Sequence, residues 1–251
     1  MRALLQSLAL VILGVASGAA SFAAEVSVAV AANFTAPMQK IAQVFAQDTG
    51  HKAVLAFGST GNFYAQIRNG APFQILLAAD EETPARIEKE GLGVANSRFT
   101  YATGQLVLWS KQAGLVDDKG DVLRGGKFER LAIANPKLAP YGLAAIETLT
   151  RLGLLQSLTP KFVQGENIAQ TYQFVATENA ALGFVALSQV FADGHIKEGS
   201  AWIVPASMHT PIQQAAVLLL TGKDNPAAAA LLGYLRGDKA KGIMRSFGYG
   251  I

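Results

Sequence analysis

The chain has 251 residues, of which 51% are hydrophobic, with a formal net charge of +3 and no cysteine. Without cysteine, thiol catalysis, iron–sulfur clusters and cysteine-ligated zinc are excluded. The basic residues are scattered along the sequence, so the positive charge does not indicate a nucleic-acid-binding surface. A chain of this length can bury a core that is stable without disulfides.

The first residues have the pattern of a secretory signal peptide. Arg2 is followed by an apolar run that ends in the small-x-small sequence Ser21-Phe22-Ala23. We therefore predict that residues 1–23 are a signal peptide and that the mature protein is exported to the periplasm. An uncleaved membrane anchor is the alternative, because the run approaches the length of a bilayer span. The many Ala, Gly and Ser residues before the cleavage pattern favour removal.

Strand patterns alternate with helix patterns along the rest of the chain. In the first part we predict strands at 26–31, 53–57 and 75–79 and helices at 35–47, 61–69 and 83–90. Further on, the predicted strands are 106–109, 131–134, 162–164, 183–187 and 202–204, with helices near 143–152, 169–175, 187–191, 226–236 and 239–247. This alternation is typical of an α/β fold, with a mostly parallel sheet flanked by helices.

The number of predicted strands is large for a single sheet, and no polar or Pro-rich linker divides the chain. A two-lobed body in which the chain passes between the lobes more than once fits both observations. We place the passages near 100–104 and 209–211. Lobe 1 is then predicted to contain residues 24–102 and 211–251, and lobe 2 residues 103–210.

Four predicted strands run directly into helices through turns rich in small, hydroxyl and amide residues. The turns lie near Asn33, near Ser59 and Thr60, within 135–142 and within 165–168. A helix that starts in this way presents free backbone N–H groups, which bind anions. In open α/β sheets such turns gather at the carboxyl ends of the strands, where ligands bind. One turn alone is an ordinary capped connection, but four in an exported chain predict capture of a small anion.

Catalytic and cofactor motifs are missing from the sequence. There is no P-loop, dinucleotide fingerprint, His-Glu-x-x-His or Gly-x-Ser-x-Gly motif, and the three histidines are far apart. The acidic run at 80–82 is explained by the start of a helix. We therefore predict a binding protein with no cofactor and no catalytic activity. An exported hydrolase with Ser59 or Thr60 as nucleophile is a weaker hypothesis, because no His or Lys accompanies these hydroxyls in the motif.

The chain resembles the periplasmic molybdate-binding proteins of ABC transporters over the whole predicted mature length. The motifs that carry the resemblance are Ala31-Ala-Asn-Phe34, Phe57-Gly-Ser-Thr-Gly61, Asn69-Gly-Ala-Pro-Phe73, Ala78-Ala-Asp80, Ala134-Asn-Pro136, Ala139-Pro-Tyr-Gly142 and Leu182-Gly-Phe-Val-Ala186. The resemblance implies the type II solute-binding fold, with two α/β lobes that close on molybdate or tungstate in the interlobe cleft. It also implies a monomer that delivers its ligand to an inner-membrane ABC permease. The alternative is a protein of the same fold that binds sulfate, thiosulfate or an organic anion.

The same resemblance implies which residues face the ligand. They would donate through backbone N–H groups, two hydroxyls and one side-chain amide, and they are Ala32, Asn33, Ser59, Thr60, Tyr141 and Ile168. Many relatives also place a tyrosine hydroxyl in the pocket, at a position where this chain has Ala186. Our hypothesis is that the Asn33 amide supplies the missing donor.

Overall fold

A computed structural model describes residues 23–192 and 194–251, so nearly all of the predicted signal peptide lies outside the described residues. The described chain forms two lobes, each built on one five-stranded sheet. This confirms the predicted two-lobed α/β fold. Within the described ranges, no helix is both long enough and apolar enough to cross a bilayer.

The first lobe has helices on both faces of its sheet. The strands of this sheet are β1 (Glu25–Ala31), β2 (Lys52–Gly58), β3 (Ile75–Leu77), β4 (Phe99–Gly104) and β12 (Ile212–Leu218). They lie side by side in the order β2-β1-β3-β12-β4. Its helices are α1 (Thr35–Thr49), α2 (Thr60–Arg68), α3 (Glu82–Lys89), α9 (Pro226–Leu235) and α10 (Asp238–Ser246). A short 3-10 helix, Ala32–Phe34, leads from β1 into α1.

The second lobe repeats this arrangement. Its sheet contains β5 (Leu106–Ser110), β6 (Leu131–Ala134), β7 (Phe162–Gly165), β8 (Leu182–Ala186) and β11 (Ser200–Ile203). These strands lie in the sheet in the order β11-β5-β8-β6-β7. Beside it lie α4 (Val122–Gly125), α5 (Pro140–Arg151), α6 (Leu155–Leu158), α7 (Ile168–Ala176) and α8 (Leu187–Val190). A two-stranded hairpin, β9 (Phe191–Ala192) with β10 (His195–Ile196), follows α8.

The sheets are mixed, whereas the sequence predicted mostly parallel ones. β1 pairs in parallel with β2 and β3, and β6 does so with β7 and β8. β12 is antiparallel to β3 and β4, and β5 is antiparallel to β8 and β11. The antiparallel pairs arise because β4, β5, β11 and β12 flank the two passages of the chain between the lobes. The sequence pattern predicted neither β4 nor β12 as a strand.

Both faces of each sheet are buried, which explains why the central strands are apolar throughout. Along β1, Val28 packs with α1, α9 and α10, whereas its neighbour Ala29 packs with α2 and α3 on the opposite face. In the second lobe, Leu108 of β5 faces α5 and Val107 faces α7. Strands covered on both faces show no alternation of apolar and polar residues.

The chain passes between the lobes after Gly104, where β4 ends, and before Ile212, where β12 begins. Gly104 is a close-contact position, because a Cβ there would lie 2.1 Å from the hydroxyl oxygen of Tyr141 in the other lobe. The division into 24–102 with 211–251, and 103–210, stays a prediction.

Candidate functional site

A small cavity between the lobes brings together all six residues proposed as ligand contacts. The first lobe contributes the ends of β1 and β2, and the second contributes the starts of α5 and α7. The remaining lining residues are Ala31, Gly58, Ala79, Ala139, Pro140 and Asn167. The four strand-to-helix turns therefore converge on one point. That the six residues bind a ligand stays a prediction.

The hydroxyls of Ser59 and Thr60 are buried and arranged as donors. Ser59 Oγ accepts a hydrogen bond from the backbone N–H of Asn62 at 3.3 Å. Thr60 Oγ1 accepts one from the N–H of Ala79 at 3.0 Å. Because the protein supplies these oxygens with donors, each hydroxyl hydrogen remains free for an acceptor in the cavity. Thr60 is also the first residue of α2, so its N–H has no acceptor within the helix.

The second lobe presents backbone donors from the starts of two helices. Ile168 is the first residue of α7, and the side chain of Asn167 caps the next two N–H groups at 2.9 and 3.0 Å. The cap leaves the Ile168 N–H for the cavity. Tyr141 follows Pro140, the first residue of α5, so its N–H also has no acceptor within the helix. In the first lobe, Ala32 and Asn33 present their backbone N–H groups in the same way, at the start of the 3-10 helix.

The phenol of Tyr141 points away from the cavity, towards the floor of the cleft. It is buried and accepts a hydrogen bond from Gln214 Nε2 at 3.2 Å, beside Gly104. The part of Tyr141 that faces the cavity is therefore its backbone.

The Asn33 side chain has a different role from the one we expected. Its Nδ2 donates to Gln214 Oε1 and to Tyr249 Oη, both at 2.9 Å. With both N–H groups used, the amide has no donor left for a ligand, and our hypothesis that it replaces a pocket tyrosine does not fit this geometry. Ala186 is fully buried at the end of β8 and supplies no side-chain donor. The donor that Asn33 can offer the cavity is its backbone N–H.

Under the cavity lies a floor of buried polar side chains that the sequence analysis missed. Tyr101 donates to Gln214 Oε1 at 2.9 Å, and Ser188 of the second lobe donates to the backbone oxygen of Asn33 at 2.8 Å. Tyr249 also reaches that oxygen, at 2.9 Å. One sequence signal was available, because Gln214 is a polar residue in an otherwise mostly apolar segment, 212–218.

The cavity is electrically neutral in its side chains, since none of the described lining residues is charged. Burial raises the pKa of Tyr101 and of Tyr141 well above the usual value, and raises the pKa of Tyr249 to about 12. The floor therefore stays uncharged at physiological pH. Asp80 lies next to the lining residue Ala79, and desolvation raises the pKa of its carboxyl. Among the described residues, no group of three or more His, Asp or Glu is placed to hold a metal ion.

The partial positive charges of helix N-termini and the hydroxyl hydrogens therefore point into a small cavity with no carboxylate among its described lining residues. Two α/β lobes that enclose a small polar cavity define a solute-binding protein. The chain belongs to the bacterial extracellular solute-binding proteins, a family that it matches over residues 26–250.

Individual relatives are similar over nearly the full length. The chain is 59% identical over 232 residues to the molybdate-binding protein ModA of Azotobacter vinelandii, a match that covers 92% of each chain. It is 49% identical over 249 residues to ModA of Rhodobacter capsulatus, covering 99% of this chain and 96% of that relative. A solved structure of the periplasmic molybdate-binding protein of Azotobacter vinelandii superposes with a TM-score of 0.88 at 41% identity, covering 90% of this chain and 99% of that one.

Proposed function

We propose that this chain binds molybdate and tungstate in the periplasm and delivers them to an ABC permease. The observation that carries the proposal is the interlobe cavity lined by neutral N–H and O–H donors from four strand-to-helix turns. The names of the relatives at 59% and 49% identity support molybdate as the ligand.

The chemistry of the donors suits a tetrahedral dianion. Molybdate offers four acceptor oxygens and carries no proton at neutral pH. Each charge-assisted hydrogen bond to a buried ion contributes roughly 1.5–3 kcal/mol, and several of them offset the cost of removing the ion from water. Because the described lining residues include no carboxylate, a protonated anion such as hydrogen phosphate would find no charged acceptor for its proton.

We propose that the spacing of the donors is the basis for selectivity. Sulfate has shorter bonds than molybdate or tungstate, so it cannot reach donors that are spaced for the larger ions. We expect molybdate and tungstate to bind with similar affinity and sulfate at least about a hundredfold more weakly, a difference of about 2.8 kcal/mol. Isothermal titration calorimetry of the wild-type protein with the three anions measures this. Sulfate binding as tightly as molybdate would favour the alternative, a sulfate-type or organic-anion binder.

We further propose that the protein acts as a monomer without cofactor or catalysis. Residues of one chain form the cavity, and its described lining residues include no His or Lys that could activate the hydroxyls of Ser59 and Thr60. Light scattering coupled to size-exclusion chromatography tests the monomer. Sequencing the N-terminus of protein recovered from the periplasm tests both the export and the cleavage after residue 23.

A further inference from the structure

The two lobes touch directly beside the cavity, through a backbone hydrogen bond. The N–H of Gly61 in α2 donates to the carbonyl oxygen of Leu138, in the segment before α5, at 2.9 Å. Gly61 follows the proposed ligand contact Thr60, and Leu138 lies two residues before Pro140 at the cavity wall. This contact therefore joins the two groups of donors that face each other across the ligand space.

There is little room for any side chain at position 61. A Cβ built there would lie 3.0 Å from Leu138 Cα, 3.1 Å from its Cδ2 and 3.2 Å from its carbonyl oxygen. Carbon atoms in ordinary contact are about 3.5–4.0 Å apart. Two of the three crowding atoms belong to the backbone, so the lobes themselves would have to separate by a few tenths of an ångström.

The local backbone does not require glycine at this position. Gly61 is the second residue of α2 and is not among the described glycines with positive φ. Glycine in a helix is less favourable than alanine, because it loses more conformational freedom on folding. The close approach of Leu138 from the other lobe therefore gives a reason for glycine that the helix itself does not.

We propose that Gly61 is a positioning residue that sets how closely the lobes approach around the ligand. By allowing the Leu138 carbonyl to close onto α2, it holds the Thr60 donors at the correct distance from the N–H groups of Tyr141 and Ile168. Gly61 does not contact the ligand, and its N–H is used by Leu138. The inference rests on the proposed oxyanion binding and adds a residue to it that acts through lobe closure.

The test is Gly61→Ala, which has opposite expected effects on the separate lobe and on the closed molecule. Alanine favours the helix, so the melting temperature of the ligand-free protein should stay equal or rise. The added methyl group prevents full closure, so molybdate affinity should fall about tenfold or more, with faster dissociation in stopped-flow measurements. Gly233→Ala in α9 is the matched control, because this exposed helical glycine has no atom within 4 Å of its would-be Cβ.

Closure can be measured directly because the native chain has no cysteine. Gln66→Cys in α2 and Lys137→Cys beside Leu138 place spin labels on exposed positions of opposite lobes. Pulsed electron paramagnetic resonance should show a shorter interlobe distance when molybdate is added to the labelled protein. In the Gly61→Ala background, saturating molybdate should leave a longer distance.

Each result has a defined consequence. Equal affinity and equal closure in Gly61→Ala and the wild type would overturn the inference, and so would a lower melting temperature of the ligand-free variant, since the glycine would then serve the fold of its own lobe. If the wild type binds neither molybdate nor tungstate, the proposed function itself fails and the inference fails with it. That failure is distinguishable because it appears before any substitution is made.

Discussion

At the scale of single residues, the hydroxyl of Thr60 is the most direct test of the neutral-donor site. Thr60→Ala removes a proposed donor to the anion and also leaves the N–H of Ala79 without its acceptor. The variant should lose roughly 1–3 kcal/mol of molybdate binding free energy. Calorimetry should show that Thr60→Ser keeps most of the affinity. As a control, Thr150→Ala removes an exposed hydroxyl in α5 and should bind like the wild type. Equal binding by Thr60→Ala would mean that the turns are helix caps alone.

Substitution of Asn33 tests whether its buried amide binds the ligand or stabilises the protein. Its side chain donates to Gln214 and Tyr249 beneath the cavity, so Asn33→Ala should lower the free energy of unfolding of the ligand-free protein by roughly 1–3 kcal/mol. Urea denaturation without molybdate measures this loss. A variant with unchanged ligand-free stability but weaker binding would instead show that the amide contacts the anion.

At the scale of secondary-structure elements, a half-buried carboxyl, Asp80, lies just before α3, and its charge affects stability. Asp80 accepts hydrogen bonds from the N–H and hydroxyl of Thr83, yet burial, the largest effect, raises its pKa. A carboxyl with a raised pKa in the folded state stabilises the fold below its unfolded pKa, about 3.9, and this stability is lost as the pH rises through the folded pKa.

Asp80→Asn removes this titration while keeping an oxygen that accepts from Thr83. The melting temperature of the ligand-free variant, relative to that of the wild type, should therefore increase as the pH rises from about 4. Thermal denaturation across a pH series measures the difference, with exposed Asp118→Asn as the control. A difference that does not change with pH would show that the half-buried carboxyl does not control stability.

The elements differ in how far the sequence could predict them. Helix α1 was predicted at 35–47 and is observed at Thr35–Thr49, because its apolar spacing and the cap at Gly50 are local signals. Strand β12 was missed because Gln213 and Gln214 interrupt its apolar pattern. Gln214 is nevertheless fully buried, since Asn33, Tyr101 and Tyr141 satisfy its amide. These partners are distant in sequence and invisible to a local pattern.

The candidate site, like the fold, could be predicted from the sequence only in part. The backbone donors at Thr60 and Ile168 were predictable because a strand-to-helix turn by itself creates free N–H groups. The role of the Asn33 amide was not predictable, because its partners Gln214 and Tyr249 lie 181 and 216 residues further along the chain. Only the folded molecule decides which side-chain groups remain free for a ligand.

At the scale of the whole molecule, the lobes meet through uncharged groups on both sides of the cavity. Gly61 with Leu138 joins them beside the donors, and Asn33 with Ser188 joins them at the floor. None of these contacts involves an ion pair. The strength of these two contacts should therefore depend little on the concentration of salt, which mainly screens exposed charges.

Neutrality at both the cavity and the floor gives the final prediction, on the pH dependence of binding. The proposed donors are amides and hydroxyls, which do not titrate near neutral pH. The buried phenols of Tyr101, Tyr141 and Tyr249 have raised pKa values and stay protonated, and no histidine is among the described lining residues. Molybdate affinity, measured by calorimetry, should therefore be nearly constant between about pH 6 and pH 9. A histidine or lysine paired with the anion would instead weaken binding as it lost its proton. A tenfold loss between pH 6 and 8 that persists in Asp80→Asn, with the fold intact by circular dichroism, would contradict binding by neutral donors.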